Sequence, residues 1–219
     1  MKESQVPDAL YDDYLSNLTA GQSRQCGELV QRLLSQGIEV EDLYTHLFQR
    51  SLYRVGELWE RGQISVSTEH LATSITERLM ALAYPLVFNR EHTNHSAVVS
   101  CTTNEYHQIG GRMVADMIEM RGWHGYFLGA NTPVADLTRM LHEKEPELVA
   151  LSVSIYFNMP ALENAIESIR AVHKTLPILV GGQAFRWGDG GVTERHPGIT
   201  VLRSLGELEE VLEKPWKPR

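Results

Sequence analysis

Between Glu41 and Trp59 the apolar residues fall at Leu43, Tyr44, Leu47, Phe48, Leu52, Val55, Leu58 and Trp59. That spacing is helical, with a wide apolar stripe. Leu29, Val30, Leu33 and Leu34 mark an earlier helix, which Gly37 is placed to end. After the break RGQISVST, a helix is predicted over Ser67–Phe88, with Leu71, Ile75, Leu79 and Leu82 on one face. With Ala9–Leu18 these make about four helices joined by short connections, and an antiparallel four-helix bundle is their expected packing.

After Asn89 the period changes. NREHTNHS is polar and reads as a linker. Short apolar runs follow at Ala97–Cys101, Gly125–Leu128, Leu148–Ser154, Ile178–Val180 and Ile199–Leu202. Helical segments alternate with them near Gly110–Arg121, Val134–Glu143, Pro160–Lys174, Gln183–Glu194 and Glu207–Glu213. Such alternation predicts a parallel sheet with helices on both faces. The expected fold class is therefore α/β: a helical bundle over residues 1–90, then a flavodoxin- or Rossmann-like parallel-sheet domain over residues 95–219.

Composition narrows the function. The 219 residues are 42% hydrophobic, enough to bury a core. A net charge of −8 with no basic run argues against direct nucleic-acid binding, which needs a surface that neutralises phosphate. MKESQVPDALYDDYL lacks the basic-then-apolar plan of a signal peptide. The longest apolar-dominated run, Leu148–Phe157, is too short to span a bilayer. Cys26 and Cys101 have no metal-type spacing and read as free thiols, so a cytoplasmic protein is expected.

Among nine histidines, His107 stands out, in NEYHQIGG, Asn104–Gly111. It follows the first predicted strand, at the edge where parallel sheets bind ligands. Gly110 and Gly111 permit a tight turn and a close backbone approach. Glu105 is near enough to hold one ring nitrogen, set the tautomer and strengthen the imidazole as a metal donor. A metal ligand, a general base and a plain polar loop residue all fit this much.

The downstream spacing adds a resemblance. Forty-one residues separate Gly110 from Ser152, and twenty-six separate Ser154 from Gly181-Gly182. With LGANTP at Leu128–Pro133, this order resembles the cobalamin-binding domain family, whose signature reads Asp-x-His-x-x-Gly, Ser-x-Leu and Gly-Gly at those separations. The resemblance implies that His107 displaces the cofactor's own dimethylbenzimidazole and ligates cobalt from below. It implies that Ser152 hydrogen-bonds the buried benzimidazole and that Gly181 and Gly182 leave room for the nucleotide tail. Glu105 stands for the family's Asp and Ser154 for its Leu. Glu is one methylene longer, so its hydrogen bond to His107 is expected to be rebuilt or water-mediated. Ser154 is expected to make that wall of the tail pocket more polar.

The helical half carries a second resemblance. In LWERGQISVSTEHLATSI, nine residues separate Trp59 from the pair Glu69-His70. Alone, Trp59 also reads as bundle core, and Glu69 as an acidic first helix turn that suits the dipole. Beside the domain that follows, the stretch resembles the cap of the CarH-like light-sensing cobalamin regulators. That implies a wall of Trp59, Glu69 and His70 around the 5′-deoxyadenosyl group of adenosylcobalamin, with Val66 as a small apolar contact. Trp59 offers a flat apolar face for such a group. Glu60 stands where several of those relatives carry His, so water or a side chain such as His70 is expected to take the upper cobalt position after photolysis. The regulators carry a DNA-binding domain ahead of the bundle, and Met1–Thr19 is too short and acidic for one. Output is therefore expected through a regulatory protein partner or through self-association as a homo-oligomer.

The expected function is a cobalamin-binding sensor, an adenosylcobalamin-dependent photoreceptor rather than an enzyme. The alternative is a corrinoid methyl-carrier protein of a methyltransferase system. Those carriers usually read Gly-Asp-x-His-Asp-Ile-Gly-Lys-Asn, whereas this chain lacks the Asp after His and the Lys-Asn. A module that binds haem or no cofactor is a third reading. A cobalamin mutase needs a substrate barrel of about 250 residues, for which there is no room.

Overall fold

The computed structural model describes residues 6–88, 91–186, 188–213 and 216. The chain divides into two compact units, Met1–Asn89 and Arg90–Arg219. No helix among the described residues is long and apolar enough to cross a membrane.

The first unit is all helical: α1 Asp8–Thr19, α2 Ser23–Ser35, α3 Val40–Asp42, α4 Arg50–Glu60 and α5 Val66–Val87. A π-helical stretch, Leu43–Gln49, joins α3 to α4 without a break. The helix expected over Glu41–Trp59 is thus one rod with a widened middle. Its stripe meets α1 and α5 in a core built around Tyr14, Leu18, Leu47, Phe48 and Ile75, all fully buried. Tyr14 and Tyr44 each lie about 6 Å from the Phe48 ring, at 6.1 and 6.0 Å. Gly37 follows α2 with φ +81°, as the expected helix stop requires. The break before α5 closes at Ser65, whose hydroxyl accepts from the Thr68 N–H at 3.1 Å. Trp59 departs from the core reading of its stripe, with 47% of its surface exposed.

The second unit alternates strands and helices: β1 Ser96–Cys101, α6 Ile109–Met120, β2 His124–Phe127, α7 Val134–Lys144, β3 Leu148–Ser152, α8 Met159–Val172, β4 Ile178–Gly181, α9 Val192–Arg195, β5 Ile199–Leu202 and α10 Leu205–Leu212. The sheet order is β2-β1-β3-β4-β5, with every pairing parallel. β1 and β3 are buried along nearly their whole length, as helices on both faces require. In this order the chain leaves β1 to one side and returns to its other side as β3. The β1–β3 gap is therefore the topological switch point, where doubly wound sheets bind ligands. Cys101, Ser152, Gly181 and Leu202 lie in register, so the strands end level.

Three expectations change. The strand expected to reach Ser154 stops at Ser152, because the Ser154 N–H turns to a side chain at 2.8 Å rather than to a neighbouring strand. The helix expected over Gln183–Glu194 is a 3-10 turn, Gln183–Phe185, followed by the short α9. Gly188, Gly190 and Gly191 all have positive φ and interrupt it, while Trp187 lies outside the described residues. Of the polar linker, Asn89 and Arg90 also lie outside them. Its latter part is pinned to the second unit, with the Thr93 N–H donating to the Gly122 carbonyl at 2.6 Å.

Gly182 has φ +113°, and a Cβ there would sit 2.2 Å from the Val153 carbonyl oxygen. Gly182→Ala is therefore expected to cost at least about 2 kcal/mol through strain and overlap with backbone that cannot yield. Urea unfolding checks this. An unchanged midpoint would show that the loop relaxes freely.

Candidate functional site

The loop after β1 reaches the switch point through a bend at Asn104, which takes φ +66°. Asn tolerates that left-handed conformation better than most residues. Neighbouring loops clamp the bend. The Asn104 N–H donates to the Asn131 side-chain oxygen at 2.8 Å, and the Asn131 N–H donates to the Glu105 carbonyl at 2.8 Å. The LGANTP stretch thus acts here as a brace for the His107 loop.

Glu105 is fully buried. Its Oε1 accepts from the His107 ring Nδ1 at 2.6 Å and from the His107 backbone N–H at 2.9 Å. Its Oε2 accepts from the backbone N–H groups of Ser154 at 2.8 Å and Ile155 at 3.1 Å, and from Asn158 Nδ2 at 3.2 Å. The extra methylene of Glu therefore carries the carboxylate across the crevice, from the β1 loop to the β3 loop. The hydrogen bond to His107 is direct, and no bridging water is needed to make it. Burial alone would raise the Glu105 pKa. The bonds from the His107 ring and from the N–H groups of His107, Ile155 and Ser154 more than offset this and hold the carboxyl at about 2, well below its ordinary 4.5. An ionised carboxylate only accepts, so Nδ1 of His107 carries the proton, which in the neutral ring leaves the lone pair on Nε2. The His107 side chain keeps 53% of its surface exposed. A tautomer-locked imidazole with an accessible edge is a competent donor to a borderline transition metal.

The other predicted residues of this unit take varied places. Ser152 is buried at the end of β3, opposite Cys101 and Gly181. Ser154 contributes its backbone N–H to Glu105. Gly110 and Gly111 lie inside α6 without positive φ, so they do not make the tight turn expected of them. Gly110 has open space around it, whereas a Cβ on Gly111 would meet Phe127 at 3.1 Å and Cys101 at 3.4 Å. At Gly181 and Gly182 a Cβ would first meet this chain's own backbone, at Leu202 and Val153. Both glycines therefore answer a packing demand within the fold itself. The Cys101 thiol donates to the His107 carbonyl at 3.7 Å, and burial pushes its pKa up to about 12, which leaves it an inert support.

In the first unit, Trp59 at the end of α4 and Val66, Glu69 and His70 at the start of α5 flank one turn. Trp59 and Val66 are 47% and 48% exposed. The Glu69 side chain is mostly buried, takes a hydrogen bond from the Thr73 hydroxyl at 3.0 Å, and lies 3.5 Å from His70 Nε2. The bundle's own packing does not use up the apolar faces of Trp59 and Val66.

Sequence reasoning missed Asn131 and Asn158. Asn131 lay inside LGANTP, a motif read only as a family mark. Asn158 has no local signal, since its targets lie about fifty residues away at Asn104 and Glu105.

A family model described as a B12 binding domain matches residues 10–84, and another of the same description matches residues 95–214. This chain belongs to the B12-binding domain family. It is a cobalamin-binding protein, with a helical part followed by a parallel-sheet part. The HTH-type transcriptional repressor CarH of Myxococcus xanthus is 31% identical to it over 134 residues, 60% of this chain and 44% of that protein. Trimethylamine corrinoid protein 1 of Methanosarcina acetivorans is 22% identical over 161 residues, 71% of this chain and 74% of that protein. The chain spans about half the length of the two curated repressors it matches, at 44% and 54%. The Methanosarcina barkeri monomethylamine corrinoid protein superposes with a TM-score of 0.81 at 16% identity, covering 93% of this chain and 97% of its own, and so shares the fold. The residues at the switch point suit a corrinoid cofactor: a buried anion fixes the imidazole, whose accessible edge offers a nitrogen to cobalt.

Because the folded pKa of Glu105 is depressed, its ionised form stabilises the fold above the unfolded value, and this contribution is lost as pH falls through the folded value. Wild type should therefore exceed Glu105→Gln by on the order of 3 kcal/mol above about pH 4.5, and the gap should close toward pH 2. Urea unfolding of both proteins across that range measures it. A gap independent of pH would rule out ionisation as its source.

Proposed function

We propose that this chain is an adenosylcobalamin-dependent photoreceptor that works on a regulatory protein partner or through self-association. His107 would hold cobalt in place of dimethylbenzimidazole, with Glu105 fixing the tautomer of its ring. Ser152 and the Gly181-Gly182 turn receive the nucleotide tail at the sheet edge. The observation that carries the adenosyl assignment is the exposed Trp59 face, grouped with Val66, Glu69 and His70 at one end of the bundle. An indole stacks on a purine or ribose, and a carboxylate accepts from hydroxyl or amino groups.

The cofactor supplies a cobalt–carbon bond that visible light breaks. Trp59 and Glu69 would hold the adenosyl group, so that its loss would remove their contacts and bias the bundle between two arrangements. On this reading the chain would hold the cofactor and respond to its upper group, the task of a sensor rather than of an enzyme. Its net charge of −8 directs output toward protein rather than toward nucleic acid.

One observation favours a second reading, a corrinoid methyl carrier. A relative named as a trimethylamine corrinoid protein aligns over 71% of this chain. Against it, Gln108 follows His107 and Gly111-Arg112 follow Gly110, in place of the Asp and Lys-Asn usual in such carriers.

Two measurements separate these readings. Protein loaded with adenosylcobalamin in the dark should change its absorption spectrum under green light, and its oligomeric size or partner affinity should change with it. A spectral change with assembly and partner binding both constant would end the switch proposal. Trp59→Ala should weaken adenosylcobalamin about tenfold and leave methylcobalamin nearly unaffected, as expected for loss of one aromatic contact. Equal weakening of both, read by equilibrium titration, would favour the carrier.

A further inference from the structure

The segment that enters β1 lies at the amino ends of β1 and β2, the pole of the sheet opposite His107. Two of its histidines meet carboxylates in the same manner. Glu119 of α6 accepts the Gly125 N–H on Oε1 at 2.7 Å, and its Oε2 lies 3.8 Å from His92 Nε2. Glu147, just before β3, accepts the Ser96 N–H on Oε2 at 2.7 Å, and its Oε1 lies 3.7 Å from His95 Nδ1. Each carboxylate is thus anchored by one oxygen and offers the other to the segment. Both gaps are just beyond hydrogen-bond length. Glu119 Oε2 and His95 Nδ1 are buried and make no hydrogen bond, a state that lowers stability. The His92 ring stacks on His124, with centroids 4.5 Å and planes 6° apart. His95 packs on Trp123 at 4.8 Å, and Trp216 meets that indole edge-on at 5.1 Å.

We propose that His92 and His95 make this segment a pH-sensitive clamp, which tightens as the two imidazoles take up protons. A neutral imidazole carries N–H on one nitrogen, whereas imidazolium carries it on both. Protonation therefore gives Glu119 Oε2 and Glu147 Oε1 a charge-assisted donor each, and a small movement closes both gaps. The His95 cation also gains the face of Trp123. A proton that forms a bond in the docked segment is held more tightly there than in the undocked one. Docking is therefore favoured at low pH, and the gain is lost as pH rises through the range where imidazole discharges. The stack on His124 sets a limit, because two imidazolium rings at that separation repel. Lys144 of α7, 4.8 Å from the centre of the Tyr126 ring that stacks on His124, adds positive charge on that side, whereas Glu119 favours His92. Arg121, which ends α6, is paired with Glu209 of α10 at 2.9 Å. The segment joins the two units, so the clamp sets where the second unit's grip on it begins. None of this depends on the cobalamin reading.

Two backbone bonds report docking: the Thr93 N–H to the Gly122 carbonyl at 2.6 Å, and the His124 N–H to the His95 carbonyl at 2.9 Å. Amide exchange at Thr93 and His124, measured by NMR on the full chain and corrected for the intrinsic rate, should slow about three- to tenfold between about pH 8 and about pH 6, as two partly exposed ion pairs allow. The double substitution Glu119→Gln with Glu147→Gln keeps shape and the oxygens that accept Gly125 and Ser96, and should abolish the slowing. His92→Gln with His95→Gln should abolish it too, and serves if the first pair does not fold. Corrected exchange that is equal at both pH values overturns the proposal. So does slowing that survives either folded double variant.

Discussion

A carboxylate taken out of water must be given hydrogen-bond donors, and Glu105 is given five N–H groups among the described residues. They come from two loops that meet only because β1 and β3 are neighbours in the sheet. The buried anion therefore depends on the topology, and in return it holds the two loops together. The same bonds that keep the carboxyl ionised fix the His107 tautomer. The joining of the two loops and the orientation of the His107 ring thus rest on one group.

The sheet order explains why this group sits where it does. In the order β2-β1-β3-β4-β5, the chain diverges on either side of β1. A crevice opens at the carboxyl ends of β1 and β3, beyond the last interstrand bonds from the Thr102 N–H to the Ser152 carbonyl and from the Val153 N–H to the Gly181 carbonyl. Level strand ends present Cys101, Ser152 and Gly181 as one floor beneath those loops. The backbone at Gly182 passes so close to Val153 that no side chain fits, which keeps the β4 edge tight against the same floor.

The helical unit contributes in a different way. Its core is satisfied by Tyr14, Leu47, Phe48, Ile75 and their neighbours, and it leaves Trp59 and Val66 partly outside. A large aromatic face that core packing does not consume is available to a ligand. The sequence family covers both units, and its relatives include proteins named as repressors and as corrinoid proteins. A B12-binding scaffold can therefore serve more than one output.

Much of this was legible from residue order. Helical periods before Asn89 and strand–helix alternation after it established the two-part α/β plan, because burial imposes its period on any chain that forms such elements. The spacing of Glu105, His107, Ser152 and Gly181 carried the resemblance to the cobalamin-binding family, and the structure places all four at or just beyond the level ends of the strands. Tertiary structure decided the rest. Residue order could not show that Glu105 reaches His107 directly, because that depends on donors about fifty residues away. Helical period alone could not take Trp59 out of the core, although the resemblance set it beside the cofactor, because a helical stripe wider than the packed face leaves its edge residue in solvent. Nor could it find Asn158, an ordinary helix-start residue until the fold brings Glu105 beside it. Local patterns record which residues must be buried, whereas the pairing of polar groups across a crevice exists only once the strands are in place.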